Sequence, residues 1–326
     1  VNVSNAVELF DSQDESLRFL PEGPYPVDEN RFSWVAIQHG ASAKTGSLNI
    51  YDFRTGLNQN FALPGRPGFA FPTDRGNFVV GCERTMGIFR PTDGSFSPLI
   101  EGVDATVDGG IPGGTIINDG VVWNGNLIFG TKDLEFKTKK AGLYLWRATD
   151  RRLIQLRNDQ ICSNGKVVIP REDGTVTLLD IDSPTRQVVA YRLDIANGQI
   201  DSGHVVVDLR EDVGVPDGMT ITPDGTCVII SLYNPQEAAF GRTIQVRLND
   251  GVIVGEWRTQ GSPQATCPQW VNRAGKAVLV ITTAVEHMPA ERRPGAPKAG
   301  ALFMVPTEMD WDTTVFGDLT PKFNEA

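Results

Sequence analysis

The stretch VPDGMTITPDGTCVIISLYN (215–234), continued by TIQVRLNDG (243–251) and IVGEWRT (253–259), holds the fold in miniature. Its apolar runs are short and rich in Val, Ile and Thr. TPDG and LNDG interrupt them, ending in Gly where a tight reversal often needs a positive φ. The pattern reads as strand, turn, strand within one small antiparallel sheet. The same unit recurs on either side. Upstream, SLNIYDF (47–53), GNFVVGC (76–82), NLIFGTK (126–132) and TVTLLDID (175–182) each sit in such a group. Downstream, AVLVITTA (277–284) and GALFMVP (300–306) make the last. Six groups predict an all-β protein: a single six-bladed β-propeller over residues 1–326, each blade a sheet beside a central channel. Two tandem sandwiches would need a linker near the middle, and none is present. VSNAVEL (3–9) is expected to pair with the last blade and close the ring, because an open ring leaves unpaired edges. The stretch after about Asp312 reads as a loosely packed tail.

Each blade should start with an innermost strand. Just before these strands the sequence reads PEGPYP, GFAFPTD, INDGVVW, SNGKVVI, PDGMTIT and TCPQW. One landmark from each, Glu22, Phe69, Asn118, Asn164, Asp217 and Cys267, recurs about every fifty residues, a blade-length period. Equal steps around a ring bring all six to one end of the axis. Four are Glu, Asn, Asn and Asp, a set of hard oxygen donors suited to a central divalent cation. Without a cation, two nearby carboxylates repel and one stays protonated. Taken singly, each Asn-Gly or Asp-Gly is a turn dipeptide; the shared phase is what singles them out.

Composition narrows the function. The 326 residues carry 40 acidic and 30 basic side chains, a formal charge of -10. That is the wrong sign for a phosphate groove or an anionic membrane surface, so neither nucleic acid nor membrane is expected as partner. No apolar run approaches the ~20 residues of a membrane helix. Val1–Phe10 lacks a signal-peptide pattern, although a signal removed ahead of Val1 would leave the same start. Cys82, Cys162, Cys227 and Cys267 form no CxxC pair and read as reduced, buried thiols of a cytoplasmic protein. His39, His204 and His287 form no HExxH or HxH set. His39 reads as a solvent-exposed strand end, His204 as a loop residue, and His287 as a loop residue near the mouth. GxSxG is lacking, GGIPGG (109–114) has no following Lys-Ser/Thr, and DIDSP (180–184) reads as a blade turn rather than a calcium loop.

At the landmarks the chain resembles the SMP-30/gluconolactonase/luciferin-regenerating (regucalcin-like) family, from about Glu22 to Val305. PEGPYPVDENRFSWVAI (21–37) is similar to that family's opening, INDGVVWNGNLIFGT (117–131) to its Asn-Asp-Gly and Gly-Thr segments, and VPDGMTITPDGT (215–226) is the most specific piece. The resemblance implies one divalent cation held by Glu22, Asn164 and Asp217 with Asn118 beside it. Ca²⁺ is the first choice, with Zn²⁺, Mg²⁺, Mn²⁺ or Fe²⁺ as alternatives. It implies hydrolysis of a small lactone, with Asp217 as catalytic base or water-orienting ligand and Asn118, Glu135 and His287 facing the substrate. Alternative readings are a phosphotriester hydrolase on the same site, or a non-catalytic binding platform; the chain would be a monomer or dimer. Three departures stand out. The family often has Arg where this chain has Ile116, which puts the usual sugar lactone in doubt. Lys166 stands where Leu often follows SNG. The family's acidic residue after Gly-Thr has only approximate counterparts, Asp133 or Glu135. Insertions at 104–114 and 292–300 are expected to shape a different mouth.

Overall fold

The computed structural model describes residues 1–104 and 114–325. Most of the 104–114 insertion, including most of GGIPGG, therefore lies outside the described residues. Six sheets, antiparallel except for one strand pair, follow one another in chain order. Their innermost strands are Pro21–Pro26, Pro67–Pro72, Thr115–Trp123, Ser163–Pro170, Val215–Ile221 and Ala265–Arg273. Each abuts the innermost strands of the neighbouring blades, and the sixth meets the first. The fold is the six-bladed β-propeller, not a pair of sandwiches. Apolar side chains fill the space between blades, as in the cluster that joins Val167 and Ile181 of blade 4 to Ile221 and Ile230 of blade 5.

The landmarks lie inside the innermost strands rather than ahead of them. Each innermost strand breaks register with its neighbour at this point: between Glu22 and Tyr25, Pro67 and Phe69, Ile117 and Gly120, Asn164 and Lys166, Pro216 and Met219, and Ala265 and Pro268. These are β-bulges, which bend a strand and re-aim a side chain. The turn-forming dipeptides thus serve a bulge. Close approach between blades demands the glycine: a Cβ on Gly218 would lie 2.5 Å from Cys267 Sγ, and one on Gly165 would lie 2.5 Å from Met219 Cβ.

The two ends of the chain differ from the sequence reading. The N-terminal segment divides between two blades. Asn2–Asn5 adds a parallel strand to blade 5 against Ile253–Gln260, and Val7–Phe10 completes blade 6 against Leu302–Val305. Ala6, buried, marks the crossing. The segment after Asp312 is packed, not loose. It forms the helix Thr313–Leu319, capped by the Asp312 side chain, and buries Phe316 and Phe323. Phe316 stacks on Trp311 and meets Trp270 edge-on, so the apolar spacing of the segment is satisfied against blade 6. All four cysteines are free and buried. Among the described residues no helix is long and apolar enough to cross a membrane.

Candidate metal centre and substrate cavity

At one end of the axis lies a cavity of about 500 Å³. Glu22, Asn118, Asn164 and Asp217 all line it, from blades 1, 3, 4 and 5, together with Glu135 and His287. The two remaining landmarks do not join them: Phe69 stacks on Phe71 in the core, and Cys267 lines a narrow space of about 50 Å³ further down the channel.

A hydrogen-bond chain orients the amides. Asn118 Nδ2 donates to Ser163 O (2.8 Å) and to Asn164 Oδ1 (2.7 Å). Asn164 Nδ2 donates to Ser183 Oγ (2.8 Å), which donates to Pro216 O (2.7 Å), the residue before Asp217. Both N–H groups of Asn118 are therefore engaged, and its oxygen is the free end. Lys166, the departure noted after SNG, supports this chain from below. Its buried ammonium donates to Asn164 O (2.6 Å) and Ser163 Oγ (2.9 Å) and pairs with Asp180 (3.2 Å). Asp180 and Asp182 of DIDSP are thus internal: Asp182 accepts from Cys162 N at 2.8 Å.

The carboxylates are the site's unbalanced part. Glu22 accepts one hydrogen bond, from Gly23 N (3.0 Å), and among the described residues Asp217 accepts none. Burial, then repulsion by Asp217 and Asp119, pushes the Glu22 carboxyl well above the usual carboxylate range. Burial, then Asp119, does the same to Asp217, with Glu286 adding to it. Two carboxylates that face the cavity and together accept one hydrogen bond, beside two amide oxygens, fit a divalent cation, which would satisfy the free lone pairs and cancel the repulsion. Among the described residues no three His, Cys, Asp or Glu side chains converge on a metal, so any such centre here must draw on the amides.

Glu135 lines the cavity, whereas Asp133 turns inward to bind the loop behind it. His287 stands at the rim with a positive φ of 59°, edge-on to Phe136 of the opposite blade. His39 is half-buried rather than solvent-exposed, because its Nε2 meets Ser47 Oγ at 2.9 Å. His204 is exposed and opens the strand His204–Asp208 instead of preceding it. Two charged cavity residues escape the landmark argument. Glu286 precedes His287, and Lys132 ends the run NLIFGTK, the signal being a lysine closing an otherwise apolar strand.

Residues 20–285 match the sequence profile described as the SMP-30/Gluconolactonase/LRE-like region. The chain belongs to the SMP-30/gluconolactonase/LRE-like family. Two curated relatives are similar over part of their length. A protein of Sulfolobus acidocaldarius without an assigned function is 28% identical over 216 residues, 66% of this chain and 72% of that one. A Bacillus subtilis protein provisionally named sugar lactone lactonase YvrE is 29% identical over 184 residues, 56% of this chain and 59% of that one. The SMP-30-like fold is shared with a calcium-binding regucalcin of Agrobacterium tumefaciens. The TM-score is 0.75 at 18% identity, covering 95% of this chain and 98% of the other.

Proposed function

We propose that this chain is a divalent-metal-dependent hydrolase of a small lactone. The observation that carries the reading is the convergence of Glu22, Asn118, Asn164 and Asp217, from four blades, on one cavity in which both carboxylates lack a paired cation. The family, and the name borne by the Bacillus subtilis relative, support the same chemistry. Bound there, a divalent cation, Ca²⁺ first, would polarise the lactone carbonyl and lower the pKa of a bound water.

The chain's own residues supply the rest. Glu22 and Asn164 would hold the ion, and Asn118 would offer its free oxygen to it or to a substrate hydroxyl. Asp217 has two oxygens without hydrogen bonds, one for the ion and one for the proton of the attacking water. Water adds to the carbonyl carbon as its proton passes to Asp217. The ring C–O bond breaks, the leaving alkoxide takes that proton from Asp217, and a hydroxy acid results. Glu135 and His287 face the outer part of the substrate. The four buried free thiols fit a reducing compartment, the cytoplasm.

The test is hydrolysis of sugar lactones and less polar γ- and δ-lactones, followed with a pH indicator, before and after chelation and metal add-back. Activity lost with chelator and restored by one metal is the expected result. No turnover with any metal overturns the lactonase reading and moves the site to phosphotriesters, then to a binding platform.

A further inference from the structure

We infer that Lys132 is the donor that positions the substrate in this cavity: its ammonium binds the carbonyl oxygen of the lactone and the carboxylate oxygen which that atom becomes. The inference rests on the lactonase reading.

Ester hydrolysis puts negative charge on the carbonyl oxygen, and a donor aimed at that position is worth about 10²–10³ in kcat. Apart from His287 at the rim and the Cys162 thiol, the cavity's other side-chain donors are spent. Asn118 gives both N–H groups to Ser163 O and Asn164 Oδ1. Asn164 Nδ2 turns to Ser183 Oγ and Cys162 Sγ. Ser183 donates to Pro216 O, and the Tyr233 hydroxyl donates to Glu286 O at 2.6 Å. Lys132 remains. It lines the cavity and is 7% exposed, yet among the described residues its Nζ makes no hydrogen bond and no ion pair. The Phe136 ring lies beside it, 5.8 Å from Nζ to centroid.

Charge explains what the ammonium waits for. In the metal-free chain, Glu22 and Asp217 attract Lys132 from beyond ion-pair distance. A divalent cation held by those carboxylates would cancel the attraction and add a like charge nearby. A buried ammonium left so is costly unless an electron-rich atom meets it. The bound ester oxygen, more negative in the transition state than in the ground state, is such an atom. Position agrees: Lys132 is the cross-strand partner of Ile116, which is buried and brings no donor of its own. The strand pair that lacks a cation at 116 carries one directly opposite.

The experiment compares Lys132→Met, similar in length and shape, and Lys132→Arg with the parent chain loaded with Ca²⁺. Lys132→Met is expected to keep or raise the melting temperature and to keep or tighten Ca²⁺ affinity, since a like charge is gone. Its kcat on γ-butyrolactone should fall about 10²–10³-fold with little change in KM, as for loss of a transition-state donor. Calorimetric affinity for 4-hydroxybutyrate, the ring-opened acid, should fall about tenfold or more, as for loss of a charge-assisted hydrogen bond. Lys132→Arg should recover part of both. Parent-like kcat and 4-hydroxybutyrate affinity in Lys132→Met would overturn the assignment, as would a parent chain that binds no 4-hydroxybutyrate. If the parent hydrolyses no lactone while Lys132→Met still loses the carboxylate, the lactonase reading fails and Lys132 keeps its place.

Discussion

Glu22 and Asp217 carry the energetic tension of the site. Burial is the main cause of their raised pKa values, and repulsion within the pair and from Asp119 adds to it. The folded-state values stand above the unfolded ones, so between the two the folded chain binds more protons. Stability contributed this way is present below the ordinary carboxylate range, near pH 4, and is lost as pH rises through the raised values. The melting temperature of chelator-treated protein is therefore expected to fall as pH rises above the ordinary carboxylate range, and saturating Ca²⁺ to remove that slope, because a ligand of the folded state stabilises it. A flat metal-free profile would show that the carboxylates do not oppose each other. Asp217→Asn should raise the metal-free melting temperature at pH 8 while lowering kcat by about 10³-fold or more, within the range for a lost general base. Retained turnover would remove Asp217 from the mechanism. These positions were legible because ring geometry turns equal spacing along the chain into proximity at the axis. Lys132 was not: a lysine at a strand end reads as solvent-facing, and only the fold of the following loop places it against the cavity.

That loop shows how an element, rather than a residue, presents the site. Asp133 accepts from the backbone N–H groups of Glu135 (3.0 Å), Lys137 (3.0 Å) and Thr138 (2.8 Å) and pairs with Lys140 at 3.1 Å, both side chains almost fully buried. Burial alone would raise its carboxyl, but these donors together outweigh it and hold it down at about 2. The turn so fixed carries Glu135 and Phe136 over the cavity, Phe136 itself at a positive φ of 52°. Asp133→Asn breaks the buried ion pair with Lys140 and removes the charge that gathers the loop's N–H groups, and should cost about 3–5 kcal/mol, as for other broken buried pairs. Because this pKa is lowered, the stabilisation is present above the unfolded value and is lost as pH falls through about 2. The gap in melting temperature between parent and variant should therefore be widest near neutrality and close in acid. A gap independent of pH would assign the loss to packing. The same variant should raise KM through the loosened mouth. The sequence alone did not separate Asp133 from Glu135, because both are acidic and two residues apart; the loop's hydrogen bonds decide which turns inward. The bulges were hidden for a related reason. Their Asn-Gly and Asp-Gly dipeptides share the composition of turns, and only pairing with the next strand shows that the chain continues.

A closed ring must join its two ends, and the chain does so with residues far apart in sequence. Val7–Phe10 is the outer strand of blade 6, and its Phe10 ring lies 5.5 Å from Tyr51 and 6.4 Å from Trp34 of blade 1. Arg18 then donates to Ala299 O (2.8 Å) and Pro297 O (3.0 Å) while pairing with Asp11 (3.0 Å). The seam between blades 6 and 1 thus depends on the first eighteen residues, whereas the helix Thr313–Leu319 covers the end of the channel away from the cavity, with Leu319 and Asp318 lining its narrow lower space. The two ends should fail differently. Removing residues 1–10 leaves blade 6 with three strands and an open edge beside the loop that holds Glu286 and His287. That chain should melt earlier and over a broader range, and its KM for lactones should rise, since one wall of the cavity stands on the weakened blade. Phe316→Ala should cost about 3–5 kcal/mol as a large-to-small core change and lower the melting temperature, but leave kcat and KM unchanged. Equal kinetic damage from both would mean that the site senses global stability. Damage from the N-terminal cut alone would show that the cavity is built on the closure of the ring.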